Sequence, residues 1–295
     1  MIGVAGNQGQ GPVVQSALLR GELVRLRKER AVTQEGAASA LEWSPSKLIR
    51  VEGGRSSITK VDLEALLTLY GVTSPEERER LVTLNRSARD RGWWDAYKSY
   101  GLDETYLNYV GYEAGASVIR QSLNTVVPGL LQTRDYAVVL TENSADAADQ
   151  VRPVVDLRMQ RQTELAKRSA PPRQYYVLDE AVIRRHVGIK NDPAIMPNQL
   201  RHMADRVESD ELVTVQVIPF AVGAHAGQSG PFTLLEFDGD LPDVLYLDAG
   251  RRAISMILGS DPKVAEYVDN FAALLEDALS VEQSLEFIRG VADEM

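Results

Sequence analysis

The chain has no cysteine, and among its 295 residues only His186, His202 and His225 are histidines. The first absence excludes disulfides, thiolate-bound zinc, iron–sulfur clusters and cysteine nucleophiles, and it fits a reducing cytoplasm. The second leaves a histidine-built metal centre to be assembled from distant segments, so neither a metal nor a cofactor is expected. No run of 18 apolar residues occurs, so no membrane-spanning helix is expected. The opening MIGVAGNQGQGP has neither a basic start nor an apolar stretch, and residues 1–12 read as a disordered tail, not a signal peptide. Catalytic signatures are missing as well. The loop GAHAGQSGP (223–231) lacks the Gly-Lys-Ser/Thr ending of a phosphate-binding loop, and no G-x-S-x-G elbow is present.

What remains is 44% apolar and 25% charged, the mixture of an ordinary globular protein, with enough length for two domains. The net charge of −10 argues against a polyanionic partner until it is divided along the chain. Residues 1–100 carry 15 basic and 12 acidic side chains, whereas residues 101–295 carry 17 basic and 30 acidic ones. Between Arg20 and Lys60 alone, nine basic groups face five acidic ones.

The basic end reads as five short helices over residues 13–90. Leu18, Leu19, Leu23 and Leu26 recur at helical spacing between Val13 and Arg30. Thr33 precedes an alanine-rich second helix, Gln34 to Leu41, whose small side chains allow close approach of a neighbour. Ser44-Pro45 is a start signal for a third helix that ends at Gly53-Gly54. Thr59 with Asp62, and Ser74 with Glu77, are capping-box spacings for a fourth and a fifth. Helices two and three, separated by a short break, have the form of a helix-turn-helix. Ser46, Lys47 and Arg50 project from one face of helix three, with Leu48 and Val51 opposite. That polar face fits either major-groove readout, with Arg50 for guanine and Lys47 for phosphate, or plain solvation.

The stretch TQEGAASALEWSPSKLIRVEGGR (Thr33 to Arg55) resembles the helix-turn-helix of the Xre/phage-repressor family, with Gln34, Ala38, Ser44, Ser46, Leu48, Val51, Glu52, Gly54 and Arg55 at matching positions. Gly36-Ala37 and Pro45 depart from the family pattern. The resemblance implies that Gln34 contacts a phosphate, that Ser44, Ser46, Lys47 and Arg50 read bases, that Arg55 belongs to the same DNA-binding set, and that Arg27 and Glu52 form a structural ion pair.

Residues 91–105 form an aromatic-rich connector in which Trp93 and Trp94 fit two roles, an anchor between domains or a stacking platform for nucleic acid. Residues 106–295 read as an α+β domain, so the fold class is mainly α with α+β: a five-helix helix-turn-helix domain followed by a mixed domain with a small sheet. Helices are expected at 106–123, 133–142, 147–168, 179–186, 197–209, 262–279 and 281–292. Arg152, Arg158, Arg161 and Arg168 are spaced for an exposed, salt-bridged face. Strands are expected at 174–178, 213–218, 232–237 and 244–247, the last two as an antiparallel hairpin.

Asp179-Glu180 is accounted for as first-turn capping acids. In the 223–231 loop, His225, Gln228 and Ser229 fit a ligand or partner contact, while a flexible hairpin loop is the plainer reading. The motifs VVPGLLQTRDYA (126–137), LDEAVIRRHVG (178–188), Gln199-Leu200, VQVIPF (215–220) and GPFTLLEF (230–237) resemble the C-terminal domain of unknown function of WhiJ-like actinobacterial regulators. That resemblance implies a transcriptional regulator with a small BldB-like partner protein, in an arrangement likened to antitoxin and toxin.

The expectation is a cytoplasmic, non-enzymatic transcriptional regulator, nucleoid-associated when bound as a homodimer to a two-fold operator in double-stranded DNA, with a C-terminal domain that senses a protein or a small ligand. The alternatives are an antitoxin-like protein that mainly sequesters its partner, a DNA-tethered enzyme, and a protein-interaction bundle.

Overall fold

The computed structural model describes residues 11–143, 148–248, 254–259 and 261–295. The expected tail, but for Gly11 and Pro12, and the expected helix start at Ala147 lie outside them. The chain divides into two units, the first ending at Asp95.

Five helices build the first unit: α1 (Pro12–Glu29), α2 (Gln34–Ala40), α3 (Pro45–Glu52), α4 (Lys60–Leu69) and α5 (Pro75–Ser87). Helix α1 begins at Pro12, inside the stretch expected to be tail, because proline suits a first helical position. Leu23 and Leu26 of α1, Ala37 and Ala38 of α2, Leu48 and Val51 of α3, and Leu63, Leu66 and Leu67 of α4 are buried together. Thr33, Thr59 and Ser74 each accept a backbone N–H three residues on. Ser44 occupies the corresponding place before α3 without using its hydroxyl as a cap, contrary to the sequence reading, since Pro45 holds the first turn.

Helices α1 to α4 end in one geometry. The second residue beyond each helix cap donates to the carbonyl five residues back: Val32 to Arg27, Trp43 to Ala38, Arg55 to Arg50 and Val72 to Leu67. The residue before each of these donors is left-handed, glycine at Gly54 and Gly71, but Ala31 (φ 54°) and Glu42 (φ 56°) at the other two.

A 3-10 helix runs from Trp93 to Tyr100, and the first α-helix of the second unit is α6 (Glu104–Glu113). The sequence reading extended this helix to Leu123. Instead it stops at Ala114-Gly115, and Val118–Leu123 forms strand β1. Next come α7 (Arg134–Glu142), α8 (Val151–Ala166), β2 (Arg173–Asp179), α9 (Glu180–Arg184), α10 (Ile195–Ser209), β3 (Val213–Ile218), β4 (Phe232–Glu236), β5 (Val244–Asp248), β6 (Ile254–Leu258), α11 (Pro262–Asp277) and α12 (Val281–Glu294). The strands make one mixed sheet of order β3-β2-β1-β4-β5-β6. Strands β1, β2 and β3 are parallel, and β4, β5 and β6 continue antiparallel from β1. Two strands were missed in the sequence: β1, at the junction of the two halves, and β6, at the edge of the sheet.

Two further expectations change. The 223–231 loop is no hairpin, because β3 and β4 lie on opposite sides of β2 and β1 and the loop must cross between them. The arginines of α8 are not all on an exposed face. Arg161 is buried, held by Glu113 of α6 through Nε–Oε1 at 2.8 Å and Nη2–Oε2 at 2.5 Å. Burial alone would lower the affinity of this guanidinium for its proton, but the Glu113 charge reverses that and raises it well above the ordinary arginine value.

The segment VVPGLLQ is stapled by side-chain amides. Gln132 donates to Val127 O (2.8 Å), Gln162 to Gly129 O (3.0 Å) and Gln199 to Leu131 O (2.7 Å), while Gln199 also accepts from Thr133 N–H (2.7 Å). Gln199 is completely buried, which accounts for a polar residue beside Leu200 in the core.

Left-handed backbone costs a residue with a side chain about 1–2 kcal/mol, and glycine adds back roughly 0.4–1 kcal/mol of unfolded-state entropy. Glu42→Gly should therefore stabilise the first unit by about 0.5–1 kcal/mol. All three tryptophans, Trp43, Trp93 and Trp94, lie in that unit, so tryptophan fluorescence during urea unfolding isolates its transition. A lowered midpoint would contradict the strain assigned to Glu42.

Candidate nucleic-acid interface

Helix α3 is amphipathic. Leu48 and Val51 are buried against the other helices, which leaves Ser46, Ile49 and Arg50 outward at spacings of three and four. Ile49 is 42% exposed. It was not among the sequence-derived candidates; its spacing from Ser46 was the available signal, and an exposed apolar group there can contact a thymine methyl. Arg50 makes no ion pair or side-chain hydrogen bond with any described residue. Ser44 and Ser46 are exposed, and Ser44 has its hydroxyl free of capping. Arg55 is exposed in the turn after α3.

Lys47 is placed differently from the other three. Its Nζ lies 2.8 Å from Asp62 Oδ1 of α4 and 3.8 Å from the centre of the Trp43 ring. It therefore stands at the edge of the outward face, already carrying a counter-charge. Burial would raise the Asp62 carboxyl, but hydrogen bonds from Lys47 and Thr59 outweigh it and hold the group below its ordinary value.

Gln34 and the pair Arg27–Glu52 form one cluster. Arg27 meets Glu52 through Nε–Oε1 at 2.7 Å and Nη2–Oε2 at 2.8 Å, and donates through Nη1 to Val32 O at 3.0 Å. The Gln34 amide donates to Glu52 Oε2 at 2.7 Å. The side chains of Arg27 and Glu52 are 11% and 4% exposed. This cluster joins the end of α1, the start of α2 and the end of α3, and so fixes the angle at which α3 is presented. Buried beside it, Tyr70 is pushed up to about 12 by desolvation and by the Glu52 charge.

Trp94 is buried, its ring against the backbone of Gly11 and Gly92, with Trp93 edge-on at 5.6 Å. This removes Trp94 as a stacking platform for bases.

In the second unit, His225, Gln228 and Ser229 do not converge. The His225 side chain is 3% exposed with Nε2 3.0 Å from Asp179 Oδ2, while Gln228 and Ser229 face solvent. His225 Nδ1 and Asn124 Oδ1 are buried without a hydrogen-bond partner among the described residues. Asp179 also caps α9 through Ala181 N–H (2.7 Å), and buried Glu180 accepts from Phe220 N–H (2.7 Å), so both acids hold local structure. Among the described residues, no group of three histidines or acids is arranged to bind a metal, and no helix is long and apolar enough to cross a membrane.

Removing one partner of a buried ion pair leaves the other charge unpaired, at a cost of about 3 kcal/mol. Glu52→Ala should lower the stability of the first unit by that order in urea unfolding followed by tryptophan fluorescence; a loss below about 1 kcal/mol would contradict the pair's structural role. The Asp62 contribution has the opposite pH signature to a base. Its folded-state pKa is depressed, so it stabilises above the unfolded carboxylate value and the effect is lost as pH falls through the folded value. Asp62→Asn should thus reduce stability near neutrality by under about 1 kcal/mol, the pair being partly exposed, and leave it unchanged in strong acid.

Comparison with known families gives two matches. Residues 18–81 match a helix-turn-helix domain, which contains α2, α3 and most of the five-helix unit. Residues 106–290 match a domain of unknown function (DUF5753), covering more than half of the chain and the whole mixed sheet. No curated protein and no solved structure matches. The chain belongs to the DUF5753 family, with a helix-turn-helix domain of the kind found in DNA-binding regulators in front of the family's own domain.

Proposed function

We propose that the protein is a sequence-specific transcriptional regulator that inserts α3 into the major groove of double-stranded DNA. The observation that carries this reading is the outward row Ser46, Ile49 and Arg50, in which Arg50 has no ion-pair or side-chain hydrogen-bond partner among the described residues. An exposed guanidinium held on a helix matches the bidentate guanine edge, and Ile49 matches a thymine methyl. Ser44 adds a free hydroxyl at the start of the helix, and Arg55 a cation beyond its end, suited to phosphate. Gln34 keeps its second amide proton for a phosphate while the first holds Glu52. At the groove edge a phosphate oxygen replaces Asp62 as the partner of Lys47.

A homodimer presents two copies of α3 about 34 Å apart, matching a two-fold operator. The second unit, in this reading, is a sensor without catalytic activity that shifts the DNA-competent population when it binds a ligand or a small, BldB-like protein. Its excess of acidic side chains supports a basic partner surface. An antitoxin-like role, in which partner sequestration is the main task, rests on the same surface; it is distinguished by co-purification with the neighbouring small protein when the two are co-expressed. The lack of cysteine and of a membrane-spanning helix among the described residues is compatible with a cytoplasmic site of action.

Selection of operator sequences from a random pool, followed by titrations at several salt concentrations, tests the interface. Arg50→Ala should weaken the selected site by about 1–3 kcal/mol and relax preference at one position. Lys47→Ala should weaken all sequences alike and flatten the salt dependence by about one ion, whereas Asp62→Asn should steepen it. Full affinity and selectivity in the Arg50 variant would overturn the assignment of the reading face.

A further inference from the structure

The second unit contains a cavity of about 130 Å³ where its sheet changes from parallel to antiparallel. Its floor is a row of side chains on three adjacent strands: Gln121 of β1 stands opposite Thr233 of β4, which stands opposite Tyr246 of β5. Helices α6 and α8 supply the roof with Tyr106, Tyr109, Arg158 and Arg161. Open sheets take ligands at the carboxyl ends of their parallel strands where strand order changes direction, and Gln121 and Leu123 close the carboxyl end of β1 at that place.

Most polar groups of the cavity are already committed. Arg161 and Glu113 neutralise each other, the Tyr106 hydroxyl accepts from Arg161 at 3.0 Å, and the Tyr109 hydroxyl donates to Glu113 at 2.8 Å. Three capacities remain. Arg158 has no carboxylate partner among the described residues and uses only Nη1, at 3.3 Å from both Gln132 Oε1 and Thr141 Oγ1. Thr233, 2% exposed, accepts from Gln121 at 2.9 Å and so keeps its own proton to donate. Gln121 keeps its amide oxygen. The walls are aromatic: the rings of Tyr109 and Tyr246 are 4.2 Å apart, and Tyr106 is stacked on Tyr109 at 6.2 Å.

We propose that this cavity binds a small planar carboxylate of single-ring size, its ring against the tyrosines and its carboxylate on Arg158 and Thr233. The volume supports one ring and little more, since a dry cavity of about 150 Å³ accommodates benzene. Charge supports the acid, because the site's only uncompensated formal charge among the described residues is a guanidinium with unspent donors. A larger cavity, of about 280 Å³, lies beside α10, but its Arg206 is paired with Asp210 at 3.0 Å and burial disfavours the charged form of its His202, so it offers no net cation to an acid.

The proposal deepens the reading of the second unit as a sensor and rests on that reading only for its consequence at DNA. Ligand-observed NMR and calorimetry on the full chain, with benzoate as probe and its neutral isostere benzamide as control, test it in the absence of DNA. Benzoate should bind saturably at millimolar or tighter concentration and benzamide at least ten-fold more weakly. Arg158→Gln should weaken benzoate at least ten-fold with little effect on benzamide. Thr233→Val, which keeps the volume and removes the donor, should weaken benzoate several-fold, and it serves alone if the arginine variant fails to fold. No saturable binding of benzoate, equal binding of benzamide, or unchanged affinity in a folded variant would overturn the proposal. Each result is independent of operator binding, so failure here leaves the DNA-binding reading standing, and loss of that reading leaves this one.

Discussion

A buried guanidinium must be given a carboxylate, and in each unit of this protein that requirement fixes the arrangement of chain segments far apart in sequence. In the first, Arg27 and Glu52 are 25 residues apart and lock the end of α1 to the end of α3, with Gln34 drawn in from α2. In the second, Arg161 and Glu113 are 48 residues apart and lock α8 to α6, with Tyr106 and Tyr109 drawn in by their hydroxyls. Such pairs contribute little net stability against a hydrophobic replacement, because both charges lose water. Their effect is directional. A bidentate fork tolerates few orientations, so an alternative packing of the same apolar helices would leave a charge buried and unpaired.

The consequence for the first unit is a fixed orientation of α3. Residues Leu48 and Val51 bind α3 to the bundle by burial alone, which is not specific for rotation. Glu52 supplies the rotation, and with it the outward place of Ser46, Ile49 and Arg50. The left-handed turn at Glu42 supplies the approach from α2 at the expense of local strain, since no glycine is present there. For the second unit, the consequence is a cation beside the pair that the pair does not use. Arg161 consumes Glu113, so Arg158 one turn earlier on α8 has no acid as partner among the described residues.

The helices of the first unit were legible because their signals are local. Thr33, Thr59, Ser74 and the Pro45 start act within one turn, and leucine spacing marks the buried faces. Strand β1 was not legible, because Val118–Leu123 has the short apolar content of either a helix end or a strand, and only its position between β2 and β4 decides the matter. Strand β6, at the edge of the sheet, was likewise left unassigned. The exposed character expected for Arg161 failed for a related reason: helical spacing shows which residues share a face but not what covers it, and Glu113 lies 48 residues away. Ser46 and Arg50 on one face of α3 were readable from spacing, whereas the engagement of Lys47 by Asp62 and Trp43 depends on where α4 packs.

The net charge of −10 is compatible with DNA because the field at a phosphate is local. At physiological salt the screening length is about 8 Å, far shorter than a unit of this size. A phosphate at the edge of α3 would therefore respond chiefly to groups within that distance, such as Arg50, Arg55, Lys47 and Asp62. The same screening isolates Arg158. It is half-buried in the cavity wall, so its charge is screened less than that of a fully exposed arginine. Overall acidity thus bears on solubility and non-specific repulsion, while the candidate site of each unit contains an arginine, Arg50 or Arg158, that no described carboxylate neutralises.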